Sequence, residues 1–110
     1  MPTPHRPSIA VHRSLRKLGH DLRDARRRRG LTAAIVADRA FTSRPSLQRV
    51  EEGDPAVSMG IYAAVLQALG LLEGLSQLAD ASRDALGLAL ADERLPRRVR
   101  LRRKPRDDHG

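Results

Sequence analysis

The fold of this chain is decided by residues 30–53, which read GLTAAIVADRAFTSRPSLQRVEEG. Thr32 and Ser43 stand where a side-chain oxygen can cap the first turn of a helix. Gly30 and Gly53 mark helix ends, because glycine readily adopts the left-handed backbone conformation that ends a helix. Pro45 falls in the first turn of the second helix, where its missing N–H costs nothing. The stretch therefore predicts two short helices joined by a tight turn.

The two predicted helices have definite bounds. One covers residues 33–40, with Ile35 and Val36 facing inward, and the next follows Ser43 and runs to Glu52. Residues 41–43 form the turn between them. Such a pair has the spacing of a helix-turn-helix unit, in which the second helix lies in the DNA major groove and its first residues reach the base edges.

The flanking sequence predicts further helices. Before the unit, apolar residues recur at spacings of three and four, which predicts an amphipathic helix that ends at Gly30; they are Val11, Leu15, Leu18, Leu22 and Ala25. After it, we predict helices over residues 59–69 (capped by Ser58), 72–79 and 85–93. The fold class is therefore all-α, a five- to six-helix bundle that contains a helix-turn-helix and has basic flexible ends.

Composition divides the chain into a compact middle and two basic ends. The net charge of the 110 residues is +8, made of +7 over residues 1–30, 0 over 31–53, −5 over 54–93 and +6 over 94–110. We predict a disordered N-terminal arm at 1–8, a helix-turn-helix domain at 9–93 with its unit at about 32–53, and a basic tail at 94–110. Basic ends favour an anionic partner, with nucleic acid first and an acidic protein second.

Several function classes are excluded by what the sequence lacks. With no cysteine, disulfides and thiolate metal sites are excluded. The histidines His5, His12, His20 and His109 lack the spacing of metal ligands, so we predict neither metal nor cofactor. No nucleophile and base are arranged together, and we predict that the protein is not an enzyme. No apolar run is long enough for a membrane span or a secretory signal, so we expect a cytoplasmic protein.

The second helix of the unit carries the candidate DNA readers. Arg44 and Arg49 can each form two parallel hydrogen bonds with guanine. Gln48 can hydrogen-bond with adenine or a phosphate, and Ser46 is a further polar group. The alternative is an ordinary solvated surface helix. Four polar groups on a short helix after a suitable turn favour DNA contact.

These residues carry a resemblance to a known family. Gly30–Thr32, then residues 36–40, then Ser43–Gly53 resemble the Xre-type, phage-repressor-like helix-turn-helix family over roughly residues 15–80. The resemblance implies base contacts by Arg44, Pro45, Ser46 and Arg49. It also implies a structural ion pair between Arg26 and Glu51 that ties the recognition helix to the body.

Phosphate contacts are expected at the edges of the unit. We assign them to Thr32, Ser43, Arg27 and Arg28, while the run of residues 27–29 is equally well explained as a solvated helix end. The chain departs from the family pattern at two positions. Ala33 stands where most members have a glutamine that touches a phosphate, and Phe41 stands where many have a glycine. Phe41 therefore either accepts backbone strain or marks a different turn.

A narrower resemblance extends beyond the unit. Residues 51–62, Leu86–Leu90 and residues 93–100 resemble antitoxins that are paired with HipA-type kinase toxins. The resemblance implies a bacterial, nucleoid-associated homodimer that binds its own palindromic operator and holds a kinase toxin inactive. The kinase partner rests on this resemblance alone.

The C-terminal third offers more apolar groups than a small core needs. Some complete the core and the others form a dimer seam, for which the candidates are Leu75, Leu78, Leu86, Leu88 and Leu90. The basic tail is either a solvated arm or a contact for DNA or a partner protein.

The sequence thus predicts a sequence-specific repressor of double-stranded DNA, an antitoxin that binds its operator as a dimer. One alternative is a stand-alone Xre-type regulator without a toxin partner. Another is a helical RNA- or ribosome-associated protein, and a third is an interaction protein for which DNA binding is secondary. Two aromatic residues are too few for a platform on which single strands stack.

Overall fold

The structure, a computed structural model, describes residues 6–95 and contains only helices over that range. The helices are α1 (Ile9–Arg28), α2 (Ala33–Arg39), α3 (Arg44–Glu51), α4 (Met59–Ala68), α5 (Leu72–Ser76), a 3₁₀ turn (Ala81–Arg83) and α6 (Ala85–Arg94). The predicted all-α fold class is confirmed.

Hydroxyl caps set the starts of the first four helices. The side chains of Ser8, Thr32, Ser43 and Ser58 each accept a hydrogen bond from the backbone N–H three residues further on. Each cap satisfies one of the backbone N–H groups that the first turn leaves without a partner. Ser8, which the sequence placed in the N-terminal arm, is thus the cap of α1, and residues 1–5 lie outside the described residues.

The core lies where α1, α2, α3 and α4 meet. Its largest fully buried side chains are Leu22, Val36, Leu47, Val50 and Val65. α3 packs against α1, α2 and α4, so the recognition helix of the predicted unit is held from three sides.

Two glycines permit a very close approach of α1 to the end of α3. A Cβ placed on Gly19 would lie 2.6 Å from the carbonyl oxygens of Val50 and Glu51. A Cβ on Gly53, whose φ is +74°, would lie 2.5 Å from the backbone of Arg16. These distances are shorter than van der Waals contact, so backbone touches backbone here and only glycine fits.

Two predicted inward positions are wrong. Ile35 is 41% exposed, because the buried side consists of Val36 and Ala37 of α2 and of Ala40 at its C-cap instead. Val11 is 44% exposed, since it lies about two turns before Gly19, where α3 covers α1. The predicted fifth helix also ends early, at Ser76 rather than at residue 79.

The chain divides into two compact units, Met1–Leu75 and Ser76–Gly110, of which residues 6–75 and 76–95 are described. The domain predicted at 9–93 therefore spans parts of both. The first unit contains the whole core and the helix-turn-helix. In the described part of the second unit, α6 packs against the 3₁₀ turn and no residue is buried. Among residues 6–95, no helix is long and apolar enough to cross a membrane.

Candidate nucleic-acid interface

α3 presents two different faces. Leu47, Val50 and Glu51 are buried against the rest of the first unit. The opposite face is exposed and carries Arg44, Pro45, Gln48 and Arg49, which stand at i, i+1, i+4 and i+5 of the helix, followed by Glu52 at its C-cap. Four of the five base readers predicted from the sequence therefore share one solvent-facing surface.

The predicted ion pair ties α3 to α1. Arg26 Nε donates to Glu51 Oε2 at 2.7 Å, and Arg26 Nη2 donates to Glu51 Oε1 at 3.1 Å, which makes a two-pronged fork. Arg26 Nη1 also donates to the carbonyl oxygen of Leu31 at 3.2 Å. The hydrogen bond to Glu51 raises the pKa of Arg26, while burial acts in the opposite direction. The fork holds α3 at a defined angle to α1, since its planar geometry permits little rotation.

Arg44 and Arg49 have free guanidinium groups. Within the part of the chain that the structure describes, no side-chain hydrogen bond or ion pair engages either of them. Gln48, by contrast, donates from Nε2 to Glu52 Oε2 at 3.3 Å. The two arginines are thus the groups on this face most available to a ligand, whereas the Gln48 amide is partly engaged by Glu52.

The fifth predicted reader, Ser46, is differently placed. It is half-buried, and its Oγ accepts a hydrogen bond from the Ser43 hydroxyl at 3.0 Å. Its backbone N–H is also capped by Ser43 Oγ at 3.2 Å. Ser46 therefore serves the start of α3 in this structure.

The predicted phosphate contacts lie at helix ends and on the surface. Thr32 and Ser43 are exposed and act as caps, so their hydroxyl oxygens already accept backbone N–H groups. Arg27 and Arg28 are exposed in the last turn of α1. Arg29 turns back instead and donates to the carbonyl oxygen of Ala25 at 3.0 Å.

The turn between α2 and α3 keeps a positive φ despite its side chain. Phe41 has φ +55°, the one positive value among the described residues other than glycine. Its ring is 97% exposed. Of the two explanations that the sequence left open, backbone strain at Phe41 is the one observed, because a bulky side chain in this conformation is strained.

A cleft separates the start of α2 from the exposed face of α3. Its volume is about 450 Å³, and it is lined by Ala33, Arg44, Pro45, Leu47, Gln48 and Glu51. Sequence reasoning missed this cleft. The available signal was Ala33, since a methyl group at the position where the family has glutamine leaves space beside α3.

The candidate dimer-seam leucines are mostly solvent-facing. Leu75 is half-buried, whereas the other four are exposed, namely Leu78 (74%), Leu86 (71%), Leu88 (52%) and Leu90 (43%). Of the predicted basic tail, Arg94 and Leu95 are described and residues 96–110 lie outside the described residues. Among residues 6–95, no cluster of three or more histidines and carboxylates could hold a metal ion.

The fold and this exposed, arginine-bearing helix define a helix-turn-helix DNA-binding protein. Residues 17–79 match the family described as a helix-turn-helix domain, which is more than half of the 110-residue chain. The chain belongs to this family, broadly of the Xre-like kind. Membership indicates a DNA-binding regulator, and such domains are typically non-enzymatic. Comparison with curated proteins and with solved structures finds no match.

Proposed function

We propose that the protein is a transcriptional repressor that binds a palindromic operator in double-stranded DNA as a homodimer. The observation that carries the proposal is the exposed face of α3, where Arg44 and Arg49 have no partner among the described residues. The buried face of the same helix is fixed by Leu47 and Val50 and by the fork to Arg26. A helix whose outer face is polar and whose orientation is fixed is suited to the major groove.

The base readers would be Arg44, Pro45, Gln48 and Arg49, together with Ser46, whose hydroxyl accepts from Ser43 and keeps its own proton to donate. Arg44 and Arg49 would each place a fork on the O6 and N7 atoms of a guanine. Thr32, Ser43, Arg27 and Arg28 would meet phosphates, which position the protein without reading sequence. The exposed leucines of α6 support dimerisation, because an apolar surface of this kind is covered in an assembly more often than left in water.

The test is the selection of duplexes from a random pool by the full-length protein, followed by affinity measurements on the selected duplex. Arg44→Ala or Arg49→Ala should each weaken binding by about 1–3 kcal/mol and relax base choice at one position. Arg83→Ala is the matched control, since it removes one exposed charge outside the unit and should leave base choice unchanged. Wild-type affinity in both α3 variants would contradict the assignment of the recognition helix.

We further propose that the protein is the antitoxin of a HipA-type kinase toxin and acts on the bacterial nucleoid in the cytoplasm. What supports this finer proposal is the resemblance carried by residues 51–62, 86–90 and 93–100. The experiment is to express the reading frame beside this gene with and without the protein. Growth arrest by a kinase that this protein relieves, together with a complex of the two purified chains, would support the antitoxin.

A neighbouring frame that encodes no kinase would favour a stand-alone regulator instead. Competition between duplex DNA and duplex or single-stranded RNA separates the antitoxin and the stand-alone regulator from the RNA-binding alternative. RNA that displaces the selected duplex at equal concentration would contradict a DNA repressor.

A further inference from the structure

The cleft between α2 and α3 opens beside the residues that we assign to base reading. Three of its six lining residues, Ala33, Pro45 and Leu47, have side chains without a polar atom. We propose that this cleft receives the 5-methyl edge of a thymine, next to a guanine that Arg44 reads. The inference rests on the proposed function and specifies which base the recognition surface selects.

The apolar half of the lining favours a methyl group. Along the major groove, the thymine methyl is the apolar group that base pairs present, whereas the other groups at base edges are hydrogen-bond donors or acceptors. The exposed Pro45 ring and the half-buried Ala33 methyl offer contact surface and no hydrogen bond. A donor or acceptor held against them would lose its water without a replacement partner.

The charges around the cleft favour DNA over other occupants. Glu51 is the carboxylate in the lining, and the Arg26 fork engages both of its oxygens, at 2.7 and 3.1 Å. Glu51 therefore presents a neutralised group to an incoming base. The free charge at the rim belongs to Arg44, whose guanidinium can pair with guanine while the neighbouring base enters the cleft.

Ala33 lines the cleft with a single methyl group. A longer side chain there would extend from the first position of α2 toward Pro45 and Gln48, which line the same cleft. Ala34, the next residue, is exposed and does not line the cleft. A longer side chain at Ala33 should therefore fill the cleft, and the same substitution at Ala34 is a matched control that should not.

The experiment uses the full-length protein and the duplex selected from a random pool. Each thymine of that duplex is replaced in turn by deoxyuridine, which lacks only the methyl group. We expect one thymine per half-site, beside a guanine, whose replacement weakens binding about four-fold, the equivalent of about 0.8 kcal/mol for one buried methyl group. Replacement of the other thymines should leave the dissociation constant unchanged.

The variants assign the methyl effect to the cleft. In Ala33→Gln the four-fold penalty should disappear, while in Ala34→Gln it should persist. A selected duplex in which no deoxyuridine weakens binding, or an Ala33→Gln protein that keeps the full penalty, would overturn the inference and leave the proposed repressor intact. A pool without any enriched sequence would instead contradict the proposed function, and the inference would fall with it.

Discussion

The guanidinium of Arg26 and the carboxylate of Glu51 meet with little access to water, since their side chains are only 14% and 10% exposed. Burial removes the hydration of both ions, and the attraction between them offsets that cost only while both are present. The pair is therefore better explained as a device that fixes the angle of α3 than as a large source of net stability.

Removal of one partner should reveal that dependence. Glu51→Ala leaves the Arg26 charge stranded and should lower the free energy of unfolding by about 3–5 kcal/mol. The control is Arg28→Ala, an exposed position in the same helix as Arg26, which should change stability by less than about 0.5 kcal/mol. Thermal or urea unfolding measures both, and two equally small effects would show that the pair does not hold α3.

Phe41 destabilises the folded state through its backbone conformation. Its φ of +55° strains the backbone, and its ring gains almost no contact in return because it is 97% exposed. A residue of this kind costs about 1–3 kcal/mol relative to an unstrained one.

Phe41→Gly should therefore stabilise the protein. Relief of the strain is partly offset by the greater freedom that glycine has in the unfolded chain, which leaves a net gain of about 1 kcal/mol. Phe41→Ala is the control, since alanine keeps the strain and should not raise the melting temperature. A melting temperature that falls in Phe41→Gly would mean that the ring makes contacts that stabilise the turn.

Between elements, Tyr62 connects α4 to the loop that follows α3. It is buried in the core, and its hydroxyl donates to the carbonyl oxygen of Asp54 at 2.8 Å. Burial raises the pKa of Tyr62 above its ordinary value of 10.0, and the nearby Asp54 carboxylate adds to the rise. The folded protein therefore holds this proton more tightly than the unfolded chain does.

This shift gives the stability a defined pH dependence. The contribution is complete below about pH 10, the unfolded pKa, and is lost as pH rises through the higher folded pKa. Because Tyr62 is the one tyrosine and the chain has no tryptophan, tyrosinate absorbance follows this group alone. Tyr62→Phe should be less stable at neutral pH, and its deficit should shrink above pH 10. Parallel pH curves for the two proteins would contradict this explanation.

The bounds of α2, α3 and α4 could be predicted to within one residue because their signals are local. Thr32, Ser43 and Ser58 cap the starts, and a cap needs only its own first turn. The approach of α1 to α3 at Gly19 could not be predicted, since glycine inside a helix has no local signature for backbone contact. The prediction that Ile35 faces inward was wrong for a related reason, because a seven-residue helix has too few apolar positions to define its buried stripe.

In the candidate interface, too, local features could be predicted from the sequence and contacts between neighbouring groups could not. The exposure of Arg44 and Arg49 follows from helical spacing around Leu47 and Val50, which a sequence displays. The hydrogen bonds that occupy Ser46 and Gln48 depend on the positions of neighbouring side chains. The cleft depends on the spacing of α2 and α3 as well as on the small side chain of Ala33, and only the side chain is visible in the sequence.

For the whole molecule, the described part of the second unit has no core of its own. A ten-residue helix is marginally stable in water by itself, and all three leucines of α6 are exposed. Leu86 and Leu90 are one helical turn apart and lie on the same face. This arrangement supports the proposal that α6 becomes buried against a second copy of the chain.

Disruption of that face should produce monomers. Leu86→Asp combined with Leu90→Asp should shift the protein from dimer to monomer in analytical ultracentrifugation, because two carboxylates cannot be buried without partners. Affinity for the palindromic duplex should fall as well, since one recognition helix would bind alone. Met59→Asp is the control, an exposed apolar residue on α4 that should leave the dimer intact. A monomeric wild-type protein, or a dimeric double variant, would contradict the seam.

The division of α3 into a buried and an exposed face has a consequence for how such a protein evolves. Arg44, Pro45 and Arg49 bury little and form no side-chain hydrogen bonds among the described residues, so exchanging them leaves the core and the Arg26–Glu51 fork in place. Under the proposed function, new target sequences are therefore accessible through a few substitutions with little loss of stability. If these residues read bases as proposed, the same separation would allow recognition to be redesigned on this chain one exposed side chain at a time.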